Sequence, residues 1–271
     1  MHIHQRSNGF THLLLTRFNL DYSLYDRKSY ICDEEWHQHR FRLFFNYCLP
    51  SVKKQTVKNF TWIIFFNKSL KQKYKSEINK IIQELPQVLF IYVLPEENHI
   101  QLLKEYIYSN VKTKFLITSR LDNDDLIRVD YLEKIQKRAA SKEMTVPFLL
   151  NASNGCQIEI QSPYRIGVIK GRKYSSFLSL ISSLIHDNVP TTVLDYNHPE
   201  WEGRVAYAEL STCLLWIQMI HERNLANKVN TLRLLPMINE KKFGDIDFKL
   251  QPVFRIFIYP LQFIISLKNK I

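Results

Sequence analysis

The sequence predicts an α/β protein built on a doubly wound, mostly parallel central sheet, with a mixed C-terminal half. Three observations carry that expectation. Apolar, β-branched and aromatic runs alternate with segments of helical spacing from residue 12 to residue 140, the order that gives parallel strands joined by crossover helices. The chain has 271 residues and is 45% hydrophobic, enough to cover both faces of such a sheet. Beyond residue 140 the alternation gives way to shorter strand-like runs around a hairpin signal.

The elements follow in order. "HLLLT" (12–16) reads as a first buried strand. From Trp36 to Val52, apolar residues at 41, 44, 45, 48, 49 and 52 keep the spacing of one amphipathic helix. "TWIIFFN" (61–67) has strand composition. Tyr74, Ile78, Ile81, Ile82 and Leu85 repeat the helical spacing until Pro86 stops it, and "VLFIYVL" (88–94) gives a third strand. A helix over about 98–110 leads to "KFLITS" (114–119). Asp130, with Glu133 three residues on, reads as an acidic capping box for a helix carrying Leu132, Ile135 and Ala139. "TVPFLLNAS" and "CQIEIQS" then flank Asn154-Gly155 as a hairpin, followed by the strand "RIGVIK", a helix near 175–186 and the buried run "CLLWIQMI" (213–220). With no low-complexity linker and no repeat, residues 1–250 read as one domain and 251–271 as an apolar, basic C-terminal segment.

Composition removes several functions. Only 6 glycines occur, well under the usual share of about 7%, and no GxGxxG or GxxxxGK[ST] loop can be written. A net charge of +11 favours an anionic partner, such as a phosphorylated ligand, a glycan or an acidic membrane surface. No RNA- or DNA-binding motif accompanies that charge, so nucleic acid is not the expected partner. Cys32, Cys48, Cys156 and Cys213 form no CxxC pair, as expected of reduced thiols in a cytoplasmic protein rather than zinc or disulfide sites. The N-terminal apolar run is too short for a signal peptide. "PVFRIFIYPLQFIISLKNKI" (252–271) is broken by Arg255 and Pro260, and spanning a bilayer takes about 20 apolar residues. It reads as a helix packed on the domain or as an interfacial segment giving peripheral contact with an anionic inner membrane.

The chemistry concentrates in "RLDNDD" (120–125), where Asp122, Asp124 and Asp125 follow the apolar strand that Leu121 ends. Ligands of a doubly wound sheet bind at the carboxyl ends of its strands, where these acids emerge. Hard oxygen ligands there suit Mg²⁺ or Mn²⁺ bridging a diphosphate; the other reading is an acidic turn. No GxSxG and no recognisable Cys/His pair supports a nucleophilic mechanism.

"TRFN" (16–19), "YCLPSVKKQTVKNFTWIIFF" (47–66), "RLDNDD" and the "W.Q..H..N..N" run from Trp216 to Asn227 together resemble the rhamnosyltransferase family. That family is a relative of the family 2 glycosyltransferases with the GT-A nucleotide-sugar fold. The resemblance implies a metal-dependent transfer of a sugar, rhamnose by the family's name, from a nucleotide-diphosphate sugar to a glycan or lipid-linked glycan acceptor, with inversion, in bacterial surface polysaccharide assembly. It implies Asp122 and Asp124 as the DxD pair, with Asp122 on ribose or metal, Asp124 on the metal and Asp125 in support. His221 would complete the metal shell. Arg120 would meet phosphate or fix the carboxylates, and Thr16, Arg17 and Asn19 would cradle the nucleotide. Asn67 would face the base, where many relatives carry Asp. No motif selects the catalytic base; the spacing of related folds points to "HPEWEGR" (198–204), and so to Glu200 and Glu202.

Overall fold

The structure, a computed structural model, describes residues 9–20, 33–141, 147–160, 166–184, 190–210, 213–222, 240–244 and 246. The C-terminal segment 251–271, Asn224 and Asn227 lie outside the described residues.

The core is a seven-stranded sheet, in spatial order Ala206–Glu209, Phe148–Asn151, Leu178–Ser183, Phe115–Arg120, Phe10–Arg17, Thr61–Asn67 and Val88–Val93. Strand β1 (Phe10–Arg17) pairs parallel with β2 (Thr61–Asn67) on one side and with β4 (Phe115–Arg120) on the other, and β3 (Val88–Val93) extends the β2 edge. The order therefore reverses between β1 and β4. That is the switch point whose carboxyl-end crevice receives ligands in open α/β sheets. Beyond β4, β9 (Leu178–Ser183) runs antiparallel and joins β6 (Phe148–Asn151), which pairs with β10 (Ala206–Glu209).

Both sheet faces are apolar because the β1 residues alternate between two cores. Leu14 joins the cluster that holds Phe41, Tyr74 and Tyr131, as does Phe18 just after the strand; Leu13 and Leu15 join the one that holds Leu103 and Ile107. Helix α1 (Glu34–Leu43) starts where the Asp33 carboxylate accepts the Trp36 amide. It passes through a π-helical turn, Phe44–Cys48, into α2 (Leu49–Lys53). The single helix expected over 36–52 is thus interrupted, with Phe44 and Cys48 still buried. Helices α3 (Gln72–Glu84), α4 (His99–Asn110) and α5 (Tyr131–Ala139) lie where the spacing put them.

A second sheet, β5-β11-β7-β8, comprises β5 (Leu126–Ile127), β7 (Gly155–Glu159), β8 (Ile166–Ile169) and β11 (Trp216–Ile220). Antiparallel pairing of Trp216 with Ile127 and of Ile217 with Leu126 brings the end of β11 beside the acidic loop between β4 and β5.

Three local expectations are corrected. The helix near 175–186 is strand β9: Phe177 and Ile181 enter one core while Leu178 and Leu180 enter the other, and a strand apolar on both faces imitates helical spacing. Asn154-Gly155 is no hairpin, because β6 and β7 lie in different sheets. A Cβ on Gly155 would stand 2.1 Å from the Trp216 ring, so the glycine serves close packing instead. Asp130 makes no side-chain cap bond to α5; it pairs with Arg128 at 2.8 Å.

Candidate active site

The acidic loop joins the two sheets, and its carboxylates part company according to what surrounds them. Asp125 is buried, and its Oδ1 accepts the Met219 amide of β11 at 3.1 Å, which ties the loop to the small sheet. Burial, and then the charges of Asp124 and Asp122, push its carboxyl well above the ordinary range. Asp124 is also buried, which by itself would raise its carboxyl, but Arg40 and then His221 outweigh that and bring it down to about 2. Asp122 keeps a third of its side chain exposed, and Nη2 of Arg120 lies 3.3 Å from both its oxygens.

Asp124 and His221, named as ligands of one metal, lie in direct contact: His221 follows directly on β11, is buried, and holds Nε2 3.0 Å from Oδ2 of Asp124. The same Oδ2 is the partner of the Arg40 guanidinium of α1. Arg40 also reaches Asn123 Oδ1 at 3.3 Å and lies over the Trp36 ring, one helical turn earlier. Asn123 in turn donates to the Phe18 carbonyl at 2.7 Å. Behind His221, its Nδ1 is 3.2 Å from His39 Nε2, and His39 Nδ1 is 3.0 Å from Arg42 Nη2.

The expected nucleotide contacts are placed unevenly. Thr16 is fully buried and its hydroxyl accepts the Trp62 indole at 2.9 Å, a bond that braces β1 against β2. Arg17 ends β1 on the α4 side, near enough for its charge to help lower the His99 imidazole, which burial chiefly brings down to about 4. Asn19 receives the Asn67 amide at 2.8 Å and contacts His37 at 3.0 Å, fixing the loop after β1 against α1 and the end of β2. The Asn67 side-chain oxygen accepts from the amide and hydroxyl of Ser69.

Glu200 and Glu202 sit in and just after the 3₁₀ turn His198–Trp201. Glu200 is exposed, and both its oxygens are held by Asn197 at 3.1 Å, which lowers its carboxyl. Glu202 is exposed. His198, which sequence reasoning passed over, stands near Arg120 and Asp122. Burial first and Arg120 next depress its imidazole, and Nδ1 is 2.8 Å from the Tyr174 carbonyl. A carbonyl only accepts, so Nδ1 carries the proton and Nε2 is the acceptor.

Asp124 and His221 lie in a chain of side-chain contacts that runs back to Arg42. Arg42 can only donate, so His39 accepts at Nδ1 and carries its proton on Nε2. That proton points at Nδ1 of His221, which leaves the His221 proton on Nε2, directed at Asp124. Oδ2 of Asp124 thus faces two nitrogens, Nη1 of Arg40 and Nε2 of His221. Among the described residues, no group of three or more His, Cys, Asp or Glu side chains is arranged to hold a metal ion. In this arrangement Oδ2 of Asp124 is engaged by Arg40 and faces Nε2 of His221.

The profile of the family described as "Putative rhamnosyl transferase" matches residues 10–232. The chain belongs to this family. The described sheet, mostly parallel with its order reversing between β1 and β4, is the doubly wound α/β architecture expected from the sequence. Among solved structures, residues 1–349 of TarS from S. aureus align at 10% identity and a TM-score of 0.45, over 77% of this chain and 60% of that one. The inositol-1-phosphate CTP transferase of T. maritima aligns at 14% identity and a TM-score of 0.36, over 81% of this chain and 93% of that one. The glycosyltransferase GlyE of Streptococcus pneumoniae aligns at 12% identity and a TM-score of 0.28, over 70% of this chain and 35% of that one. The chain thus spans about 60% of the TarS fragment. None of the curated proteins matches the chain. Among the described residues, no helix is long and apolar enough to cross a membrane.

Proposed function

We propose that the protein is a glycosyltransferase that moves a sugar, rhamnose by the family's description, from a nucleotide-diphosphate sugar onto a glycan or lipid-linked glycan. The observation that carries this reading is the partly exposed Asp122–Arg120 pair at the carboxyl ends of β1 and β4, where the sheet's switch point opens. A nucleotide presents hydroxyls for a carboxylate and a diphosphate for guanidinium groups, and Asp122, Arg120 and Arg17 supply both kinds of partner. Asn19 and Asn67 brace the neighbouring loop that would take the nucleoside.

Transfer with inversion needs a base on the acceptor side, opposite the departing diphosphate. Segment 198–202 supplies the candidates. Glu202 presents an exposed carboxylate, Glu200 is engaged with Asn197, and His198 offers Nε2 as an acceptor beside Asp122. We place the enzyme at the cytoplasmic face of a bacterial inner membrane, in surface polysaccharide assembly. The charge of +11 and the apolar, basic segment 251–271 support peripheral contact there.

The test is incubation of the purified chain with a panel of nucleotide sugars and mass spectrometry for the released nucleoside diphosphate. Release with one donor and its loss in Asp122→Asn are expected. No release and no binding with any donor would sink the reading.

A further inference from the structure

The charge of the acidic loop is balanced from within the protein. Arg40 is held in place by four groups: its own helix, the Trp36 ring, Asn123 and Asp124. Its side chain is nine-tenths buried, and its guanidinium meets the carboxylate that a DxD site would give to a metal. The same Oδ2 faces Nε2 of His221, behind which His39 and Arg42 continue the chain. We propose that Arg40 takes the place of a divalent cation here: Asp124 anchors a guanidinium rather than a metal, and donor binding is metal-independent.

Arg40 is then a positioning residue. It neutralises Asp124 from within the protein, so the negative charge of the loop does not oppose an incoming diphosphate. Arg17 and Arg120, at the ends of β1 and β4, meet the diphosphate itself. A buried guanidinium is a permanent cation that no chelator removes. The ligand in this inference rests on the transferase reading; the claim about Asp124 and metal does not.

Two measurements on the full chain separate the cases. Nucleoside diphosphates (UDP, dTDP and GDP) are titrated calorimetrically in EDTA and in MnCl₂, and the affinity is expected to agree within about threefold between the two media. A Kd at least about tenfold tighter with Mn²⁺ overturns the proposal. Independently, Mn²⁺ alone is titrated against the protein and followed by its EPR signal. No saturable uptake is expected, and a stoichiometric site that disappears in Asp124→Asn overturns the proposal without any nucleotide. Arg40→Gln is expected to gain Mn²⁺ uptake at Asp124, with Arg40→Lys restoring the wild-type behaviour. Should the protein bind no nucleotide in either medium, the transferase reading falls, while the Mn²⁺ titration of the wild type still decides this one.

Discussion

Replacing Arg40 by Met keeps the volume and removes the charge, and the structure sets the size of the effect. The side chains of Arg40 and Asp124 are 10% and 8% exposed, so the pair is desolvated on both sides. Removing one member of such a pair leaves an uncompensated buried charge, at a cost of about 3–5 kcal/mol. The Asp124 carboxyl points the same way: burial would raise it, and Arg40 is the larger of the groups that bring it to about 2. Without Arg40, burial is opposed mainly by His221, and the carboxyl moves up. Against a total stability of roughly 5–15 kcal/mol the loss is large, and at about 2–4 °C per kcal/mol the melting temperature should fall by about 6–20 °C. Urea unfolding at neutral pH measures it directly. The deficit should shrink in acid, where the orphaned Asp124 takes up a proton. The double variant Arg40→Met with Asp124→Leu should recover most of the loss, because exchanging a buried pair for apolar groups is near neutral. An Arg40→Met variant within about 1 kcal/mol of wild type would refute the reasoning, since the pair would then be solvated.

Three further outcomes follow from single contacts. The buried His12 imidazole, bonded to Ser119, is pushed by burial from 6.5 down to about 3. Its contribution to stability is therefore complete above pH 6.5 and lost as pH falls toward 3, at about 1.4 kcal/mol per pH unit where only the unfolded chain is protonated; His12→Gln should flatten that acid limb of the urea-midpoint profile. Gly155→Ala would drive a methyl to 2.1 Å from the Trp216 ring and should cost about 1–3 kcal/mol or more, with a changed tryptophan spectrum, and Trp216→Leu in the same chain should relieve it. In transfer assays His198→Gln should lower kcat by about 100-fold or more, while Glu200→Gln and Glu202→Gln should each lower it less than about tenfold; the opposite pattern would give the base role to a carboxylate.

The β1 to α5 half was legible because its strands are short apolar runs and its helices show one apolar stripe each. Strand β9 was not, since Phe177, Leu178, Leu180 and Ile181 fill two cores at once and carry no alternation to read. Gly155 was misread because a glycine demanded by a ring looks, in sequence, like one demanded by a turn. At the site, family motifs named Asp124 and His221 as ligands of one metal; no local pattern announces a direct contact across 97 positions. Arg40 was hidden in another way: among the basic residues of the last turn of α1 it resembles an exposed helix-end charge, and only burial shows otherwise. Thr16 looked available because its engagement with Trp62 depends on the register between β1 and β2.

Three carboxylates within four residues cannot all be ionised and buried, and the two sheets decide which is which. Asp125 gives its oxygen to the β11 amide and its carboxyl is pushed upward, so it acts as a strut between the sheets. Asp124 stays charged because a guanidinium and an imidazole N–H are built around it. Asp122 alone keeps a substantial face toward solvent, beside Arg120. Environments that pull neighbouring acids apart in this way assign them different work. A substitution at Asp125 or Asp124 should therefore register in stability, and one at Asp122 in ligand binding with the fold intact. If all three behaved alike in an unfolding experiment, the loop would be an acidic turn after all.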